Sequence, residues 1–133
     1  MHQISVQTNG RTEMLDITSR VEEVVRRAGV DNALCTIFVP HTTAGVTINE
    51  NADPDVARDI LTVVDSVVPF HDARYRHGEG NSAAHVKSSL VGCSLNVIVE
   101  KGSLRLGTWQ GIYFAEFDGP RSRKVWISFS TAV

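Results

Sequence analysis

The alternation of apolar and polar positions predicts short strands at the start of the chain. Ile4 and Val6 alternate with polar residues over positions 3–7, and this is the period of a strand. A second short strand is expected over 12–17. Asn9-Gly10 between them favours a two-residue hairpin turn. The first two strands are therefore predicted to pair with each other.

Three later segments have the period of a helix. The first begins at Ser19-Arg20-Val21-Glu22, which matches a capping box, and Gly29 would end it. The second begins at Asp53-Pro54, because Asp caps free N–H groups and Pro suits the first helical position. The third covers 83–91 and is capped by Asn81 or Ser82. The expected buried stripes are Val21, Val24, Val25 and Ala28; then Val56, Ile60, Val63, Val64 and Val67; then Ala83, Val86 and Leu90.

Further strand patterns complete the expected fold. A near-continuous apolar run from Ala33 to Pro40 predicts a strand that is buried on both faces. Shorter patterns follow at 46–48, 94–99, 103–106, 112–117 and 125–129. Three helices among seven or eight strands, many in hairpin order, predict a compact α+β domain over 1–133, with a largely antiparallel or mixed sheet.

Charge and cysteine content narrow the function classes. The 133 residues carry a formal net charge of −2, without a run of either sign. This balance argues against a nucleic-acid or membrane-surface binder, and no apolar segment approaches the roughly 18 residues of a membrane span. The first residues lack the features of a signal peptide, so we expect a cytoplasmic protein. Cys35 and Cys93 lie in apolar runs and are expected to be buried free thiols.

Polar groups are concentrated in the segment His77-Gly78-Glu79-Gly80-Asn81-Ser82-Ala83-Ala84-His85. Together with His41, it supplies three imidazoles. Three protein ligands and an open water position are typical of a catalytic zinc site, where Glu79 or Glu50 would act as base on the bound water. The spacing matches no standard zinc signature. The alternative, that some of these histidines only form hydrogen bonds at turns, stays open.

A phosphate site is a second interpretation of the same region. Thr42 and Thr43 follow a strand, and Asn81-Ser82 opens a helix whose N-terminal N–H groups favour phosphate. Further donors and charge are available from Lys87, Ser88, Arg121 and Arg123. Residue by residue, caps and solvated faces are an equally good explanation.

Two further polar groups are expected to complete the site. Glu50 lies between Asn49 and Asn51, on the strand face that also carries Val46 and Ile48. Partial desolvation there would raise its pKa and suit a general base. Trp109-Gln110, between two glycines, is either a stacking wall for a ring substrate or core.

Several motifs in order make the chain resemble the YjbQ family. They are His41-Thr42-Thr43-Ala44, Asn49-Glu50-Asn51-Ala52-Asp53-Pro54, His77 with Glu79-Gly80, His85-Val86-Lys87-Ser88-Ser89 and Gly107-Thr108-Trp109-Gln110-Gly111. The resemblance implies a sandwich-like α+β fold, a homotrimer, and a site near a subunit boundary. It also implies a secondary thiamine-phosphate synthase activity, which joins a pyrimidine pyrophosphate to a thiazole phosphate. Some members have a longer, more acidic insertion where this chain has only Gly78-Glu79-Gly80-Asn81, so the role of Glu79 is open.

Three functions therefore remain: such a transferase, a zinc-dependent hydrolase of a small phosphorylated metabolite, or a non-catalytic binding module for a small anion. The expected cofactor is a divalent metal, zinc or magnesium. The expected catalytic residues are Asn49, Glu50, His77 and Glu79; the metal ligands are His41, His77 and His85; and the substrate or phosphate contacts are Thr42, Thr43, Asn81, Ser82, Ser88, Trp109, Gln110 and Arg121.

Overall fold

The computed structural model describes residues 1–131 as two antiparallel sheets and three helices. The strands are β1 His2–Gln7, β2 Glu13–Asp16, β3 Ala33–Phe38, β4 Ala44–Glu50, β5 Ser94–Glu100, β6 Ser103–Leu104, β7 Gln110–Glu116 and β8 Ser122–Thr131. The helices are α1 Thr18–Ala28, α2 Pro54–Val67 and α3 Ser82–Val91. The α+β class and the three helices predicted from the sequence are confirmed.

The two sheets have different strand orders. One sheet has five strands in the order β1-β8-β3-β5-β6, and the other has three in the order β2-β7-β4. The predicted hairpin between β1 and β2 is wrong, because β1 pairs with β8 and β2 with β7. Thr8 donates its N–H to the Arg121 carbonyl at 2.9 Å, and Asn9 donates its N–H to the Glu13 carboxylate at 2.9 Å. These two hydrogen bonds hold the β1–β2 connection in a conformation that crosses from one sheet to the other and does not form a hairpin.

The main core lies between the sheets and α1. Ile37 of β3, Phe114 of β7 and Ile127 of β8 have no exposed surface. Strand β3 alternates, however: Leu34 is 40% exposed and Phe38 is 37% exposed. The prediction that this strand is buried on both faces is therefore wrong, since its second face is left open.

Helix α1 buries three of the four residues of its predicted stripe but starts differently. Val21, Val24 and Val25 are buried, and Gly29 ends the helix at φ 66°, a conformation that favours glycine. The capping box at Ser19 is not formed. Helix α1 begins one residue earlier, and the Thr18 hydroxyl donates to Asp16 at 2.6 Å.

Helix α2 has the predicted cap but not the predicted burial. The Asp53 carboxylate accepts the N–H of Asp55 at 2.9 Å, and Pro54 is the first helical residue. None of its residues is fully buried, and Val63 and Val67 are 58% and 69% exposed. Much of its apolar stripe therefore faces outward.

Helix α3 buries only Ala83 of its predicted stripe. It buries Ala83, Ala84, Lys87 and Ser88, whereas Leu90 is 68% exposed. Small side chains let this helix and the turn after it approach β4 closely: a Cβ on Gly45 would lie 2.5 Å from the Gly92 carbonyl oxygen. Because α3 packs closely against β4, the helix face with small side chains is buried and the more hydrophobic face is exposed.

Candidate functional site

A cavity of about 700 Å³ lies where the end of β3, the loop before α3 and the start of β8 meet. We call it the histidine cavity. Its lining includes Pro40, His41, Thr42, Thr43, His77, Glu79, Asn81, His85, Cys93, Asp118, Arg121 and Arg123. The structure therefore brings together the His41-Thr42-Thr43 and His77–His85 segments, as the sequence predicted.

His77 and His85 form a close pair in this cavity. His77 lies in the loop, where the Gly80 N–H donates to its carbonyl at 3.2 Å, and His85 projects from α3. Their ring centroids are 5.3 Å apart and their planes are inclined by 88°. Two imidazoles on one tetrahedral zinc have centroids about 5 Å apart, given Zn–N bonds of roughly 2.0–2.1 Å. The separation of this pair fits a shared divalent ion.

His41 does not complete a three-histidine ligand set within the chain. Its Nε2 accepts the backbone N–H of Lys124 at 2.9 Å, so its proton is on Nδ1 in the neutral ring. Burial, and then the positive charge of Arg123, lower the pKa of His41. No group of three or more His, Cys, Asp or Glu side chains in residues 1–131 could hold a metal ion. His41 is better suited to donate a hydrogen bond from Nδ1.

An ion pair lies behind the cavity, between Glu116 of β7 and Arg123 of β8. Arg123 donates from Nε to Glu116 at 2.8 Å and forms a second, short bond from Nη2. Glu116 has no exposed surface and also accepts from the Thr8 hydroxyl at 2.8 Å and the N–H groups of Phe117 and Asp118. Desolvation would raise the pKa of Glu116, but these bonds, Arg123 foremost, outweigh it and lower that pKa.

Arg123 offers one free edge to the cavity. Its Nη2 also donates to the Thr43 hydroxyl at 2.8 Å. The Nη1 atom of Arg123 has no hydrogen-bond partner in residues 1–131 and keeps some solvent-accessible surface. Arg123 is only 5% exposed and lines this cavity. A fixed guanidinium with a free edge is a good anion contact.

Asn81 and Arg121 are both held by Asp118. Asn81 donates from Nδ2 to this carboxylate at 2.9 Å, and Arg121 donates from Nη2 at 3.0 Å. One of the two N–H donors of the Asn81 amide is therefore used, and its Oδ1 is buried without a partner. Asn81 and Arg121 both line the cavity, and the phosphate contacts predicted for them stay predictions.

The Asn49-Glu50 segment and Trp109-Gln110 lie elsewhere in the chain. Strand β4 starts beside Thr43 and ends at Glu50, so its length separates the two ends by about 20 Å. Glu50 pairs with Gln110 across the sheet at that far end. The expectation that Asn49 and Glu50 form a wall of the histidine cavity within one chain is wrong.

The far end is built mainly from local contacts. Asn49 accepts the N–H of Glu50 at 2.7 Å, and Gln110 accepts the N–H of Gly107 at 2.8 Å. Trp109 is 62% exposed, so it is not core. Its ring is open to solvent rather than enclosing a pocket in the single chain.

Two serines and a cysteine also differ from expectation. Ser88 is buried, and its hydroxyl donates to the Ala84 carbonyl at 2.8 Å, so it is a structural residue and not a phosphate ligand. Ser82 is the first residue of α3 but does not line the cavity. Cys35 is buried as predicted, and burial raises the pKa of its thiol to about 11. Cys93 is exposed and lines the cavity.

Sequence reasoning missed the central role of the Glu116–Arg123 pair. The available signal was a carboxylate inside the apolar run 112–117 and an arginine on the inward-facing register of β8. Charged residues are almost never fully buried without a partner. Their pairing was not visible from sequence, because it depends on which strands are neighbours.

No helix in residues 1–131 has the length and apolar character to cross a bilayer.

Comparison with known proteins identifies the family. The family model described as UPF0047 protein YjbQ-like matches residues 2–132. UPF0047 protein YugU of Bacillus subtilis is 56% identical over 124 residues, covering 93% of this chain and 94% of the relative. A UPF0047 protein of Methanocaldococcus jannaschii is 50% identical, covering 92% and 88%.

Solved structures agree with this result. An uncharacterised YjbQ/UPF0047 protein from Clostridium acetobutylicum superposes with a TM-score of 0.95 at 52% identity, covering 98% of this chain and 100% of that one. A protein of unknown function from Sulfolobus solfataricus gives a TM-score of 0.93 at 33% identity, covering 98% and 96%. The chain belongs to the YjbQ/UPF0047 family.

Proposed function

We propose that the protein is an enzyme that acts on small phosphorylated metabolites in the histidine cavity. The observation that carries the proposal is the free Nη1 edge of Arg123, held on its other side by Glu116 and Thr43. Because the guanidinium is already fixed, little side-chain entropy is lost when it binds an oxyanion.

Other donors face the same space. His41 carries its proton on Nδ1, and the Thr43 hydroxyl accepts from Arg123, so its own proton is free to be donated. Arg121 adds charge at the rim, although Asp118 neutralises part of it. These donors suit the oxygen atoms of a phosphate or pyrophosphate.

The reaction that we propose is the one associated with the family. In it, the nitrogen of a thiazole phosphate forms a bond to the methylene carbon of a pyrimidine pyrophosphate, and the carbon–oxygen bond to pyrophosphate breaks. Negative charge builds on the leaving group, so the Arg123 and His41 donors would stabilise it as it departs. We assign proton exchange with the bound substrate to His77 and Glu79, because both line the cavity.

The test is formation of thiamine phosphate from the two precursors with magnesium. We expect product above a no-protein blank, and at least a tenfold lower rate for His77→Ala. His71→Ala is the matched control, because His71 lies outside the cavity lining and packs against Phe70. No product above the blank would contradict the transferase. If substrates bind without turnover, the protein is a binding module instead.

We further propose that the protein is a homotrimer in which Glu50 of one chain approaches the histidine cavity of the next. Two observations support self-association. Exposed apolar side chains lie on α2 and α3, among them Val67 and Leu90, and Ile98 is 61% exposed on the open face of the larger sheet. Glu50 and Trp109 also lie too far from the histidines of their own chain to act with them.

Two measurements test this assembly. Native mass spectrometry should give three times the 14.6 kDa chain mass. Refolding Glu50→Ala and His77→Ala chains together should then restore about a quarter of wild-type activity, because random mixing leaves that share of subunit boundaries intact. A monomeric mass, or a mixture as inactive as its parts, would refute the shared site.

A metal-dependent hydrolase is the second candidate, and the His77–His85 separation favours it. These two imidazoles would hold the ion, and a bound divalent metal would supply a hydroxide nucleophile at neutral pH. His77 and His85 provide two nitrogen ligands, while His41 remains a hydrogen-bond donor.

Elemental analysis of the purified protein tests this candidate. We expect stoichiometric zinc or a similar ion in the wild type and in His2→Ala, and its loss in the His77→Ala, His85→Ala double variant. Metal content that is the same in the double variant would exclude these residues as ligands. The cytoplasmic location and the absence of a nucleic-acid partner remain predictions from the sequence.

A further inference from the structure

A second cavity, of about 460 Å³, lies on the other side of α3. We call it the Lys87 cavity. It is lined by Arg11 and Thr12 between β1 and β2, Asp65 and Phe70 near the end of α2, Lys87 of α3, and Phe117 after β7. None of these residues lines the histidine cavity. The proposed enzymatic function makes no use of any of them.

Lys87 is a buried cation with spare hydrogen-bond donors. Its side chain is 4% exposed, and its ammonium pairs with Asp65, which is 48% exposed. This is the one hydrogen bond that the Lys87 ammonium makes to residues 1–131. An ammonium has three N–H donors, so two remain for another acceptor. The Phe117 ring, 5.9 Å from Nζ, adds a favourable electrostatic contact but no hydrogen-bond acceptor.

The two unbonded N–H donors of Lys87 matter for stability because the ammonium is buried. A cation removed from water costs free energy unless its donors are satisfied. The single carboxylate of Asp65 offsets the charge of Lys87 but not its hydrogen-bonding capacity. An oxyanion in the adjoining cavity would satisfy both remaining donors.

Arg11 adds a second positive group at the same cavity. Its guanidinium carbon lies 3.9 Å from the centroid of the Phe70 ring. In residues 1–131 no acceptor or carboxylate bonds to this guanidinium, so its N–H edges stay open. Stacking on Phe70 fixes the plane while leaving the edge available for bidentate binding. Arg11, Lys87 and Asp65 together leave one net positive charge around the cavity.

The two cavities are separated by the geometry of α3. Asn81 and His85 face the histidine cavity, whereas Ala83 and Lys87 face the other. A shift of two residues turns the helix by about 200°, which places the two pairs on opposite faces. A ligand beside Lys87 would therefore not occupy the space of the proposed substrate.

We propose that the Lys87 cavity binds a small organic oxyanion, a phosphate monoester or a carboxylate, through Lys87 and Arg11. Two cations from different elements converge there, one fixed by an ion pair and one by a ring. The volume lies within the range of small-molecule sites, at the low end. Thr12 also lines this cavity, and its hydroxyl is a further donor for the proposed ligand.

The experiment is calorimetric titration with phenyl phosphate and benzoate, which share a ring and differ in the anion. Benzyl alcohol is the neutral control. Wild-type protein should bind at least one of the two anions and not the alcohol. Lys87→Met, which keeps the length and apolar stem of the side chain, should weaken that binding at least tenfold. Arg11→Gln should weaken it severalfold, and His77→Ala should leave it unchanged.

The outcomes separate this site from the histidine cavity. Binding of phenyl phosphate alone assigns the site to phosphate monoesters, and binding of benzoate alone assigns it to carboxylates. The proposal is overturned if neither anion binds at millimolar concentration. It is also overturned if affinity survives in Lys87→Met, or falls only in His77→Ala. If Lys87→Met does not fold, the test uses Arg11→Gln and Thr12→Val. Unchanged anion affinity in both of these variants contradicts the proposal.

Discussion

Replacing Glu116 by Gln should destabilise the protein strongly without changing the size of the side chain. The carboxylate accepts bonds at both oxygens: Thr8 and Arg123 at Oε1, and Phe117, Asp118 and Arg123 again at Oε2. An amide would place an NH₂ group against donors on one side. It would also leave the buried charge of Arg123 without a counter-ion.

The magnitude follows from this burial. Breaking one partner of a buried pair costs about 3–5 kcal/mol. With an unfolding entropy of about 2.1 cal/mol/K per residue, a chain of 133 residues should melt roughly 10–20 °C lower. The cost is a large part of the roughly 5–15 kcal/mol that typically separates native from unfolded domains.

The assay is denaturant unfolding of Glu116→Gln, Arg123→Met and the double variant at one protein concentration. The double variant should lose less stability than the sum of the single variants, by about 1–3 kcal/mol, because it leaves no unpaired buried charge. The exposed Glu23–Arg27 pair is a matched control. Its partners are 2.9 Å apart and 41% and 79% exposed, so Glu23→Gln should cost no more than about 0.5 kcal/mol. A loss below about 1 kcal/mol for Glu116→Gln, or strict additivity, would refute the reasoning.

Three further predictions concern protonation, thiol reactivity and packing. The folded-state pKa of His41 is lowered below its ordinary value of 6.5. The contribution of His41 to stability should therefore be complete above pH 6.5 and be lost as the pH falls through the lowered pKa. His41→Gln should abolish that part of the pH dependence of the urea midpoint. Cys93 should react with a thiol reagent in the native protein and Cys35 only on unfolding, because Cys35 is buried with its pKa raised to about 11; equal native rates would contradict this. Gly45→Ala should lower the melting temperature, because its Cβ would meet the Gly92 carbonyl oxygen at 2.5 Å, whereas Gly78→Ala, with no atom within 4 Å, should change it little; equal shifts would contradict the packing argument.

Two local signals in the sequence were confirmed, although the equally local capping box at Ser19 is not formed. The α1 stripe and the Asp53 cap each depend on residues within a few positions of one another, and both are present. The predicted β1–β2 hairpin is wrong because both strands pair with strands that are distant in sequence. Strand β1 pairs with β8, and β2 pairs with β7. The Asn9-Gly10 pattern is local and carries no information about which distant strands pair with the backbone N–H and C=O groups of β1 and β2.

The face of α3 shows a second limit. Hydrophobicity favoured Ala83, Val86 and Leu90 as the buried side, but of these only Ala83 is buried, together with Ala84. A helix pressed closely against a strand accommodates small residues, and that distance is set by the whole fold. Periodicity predicts that a helix exists more reliably than which side it buries.

The site was predicted in part for the same reason. His41 and the His77–His85 segment do meet, since both lie near strand or helix ends on one side of the molecule. Glu50 was assigned to the same site because it lies between two carboxamides at the end of an apolar strand. The length of β4 separates Glu50 from the cavity by about 20 Å. Arg123 could be placed only once β8 was known to pair with β3.

Pyrophosphate binding tests most directly whether the histidine cavity is the functional site. Calorimetric titration of magnesium pyrophosphate should show binding to the wild type, and at least tenfold weaker binding to His77→Ala and Arg121→Gln. His71→Ala should keep the wild-type affinity, because His71 lies outside the cavity lining and packs against Phe70. Unchanged affinity in both cavity variants, or an equal loss in His71→Ala, would contradict the account.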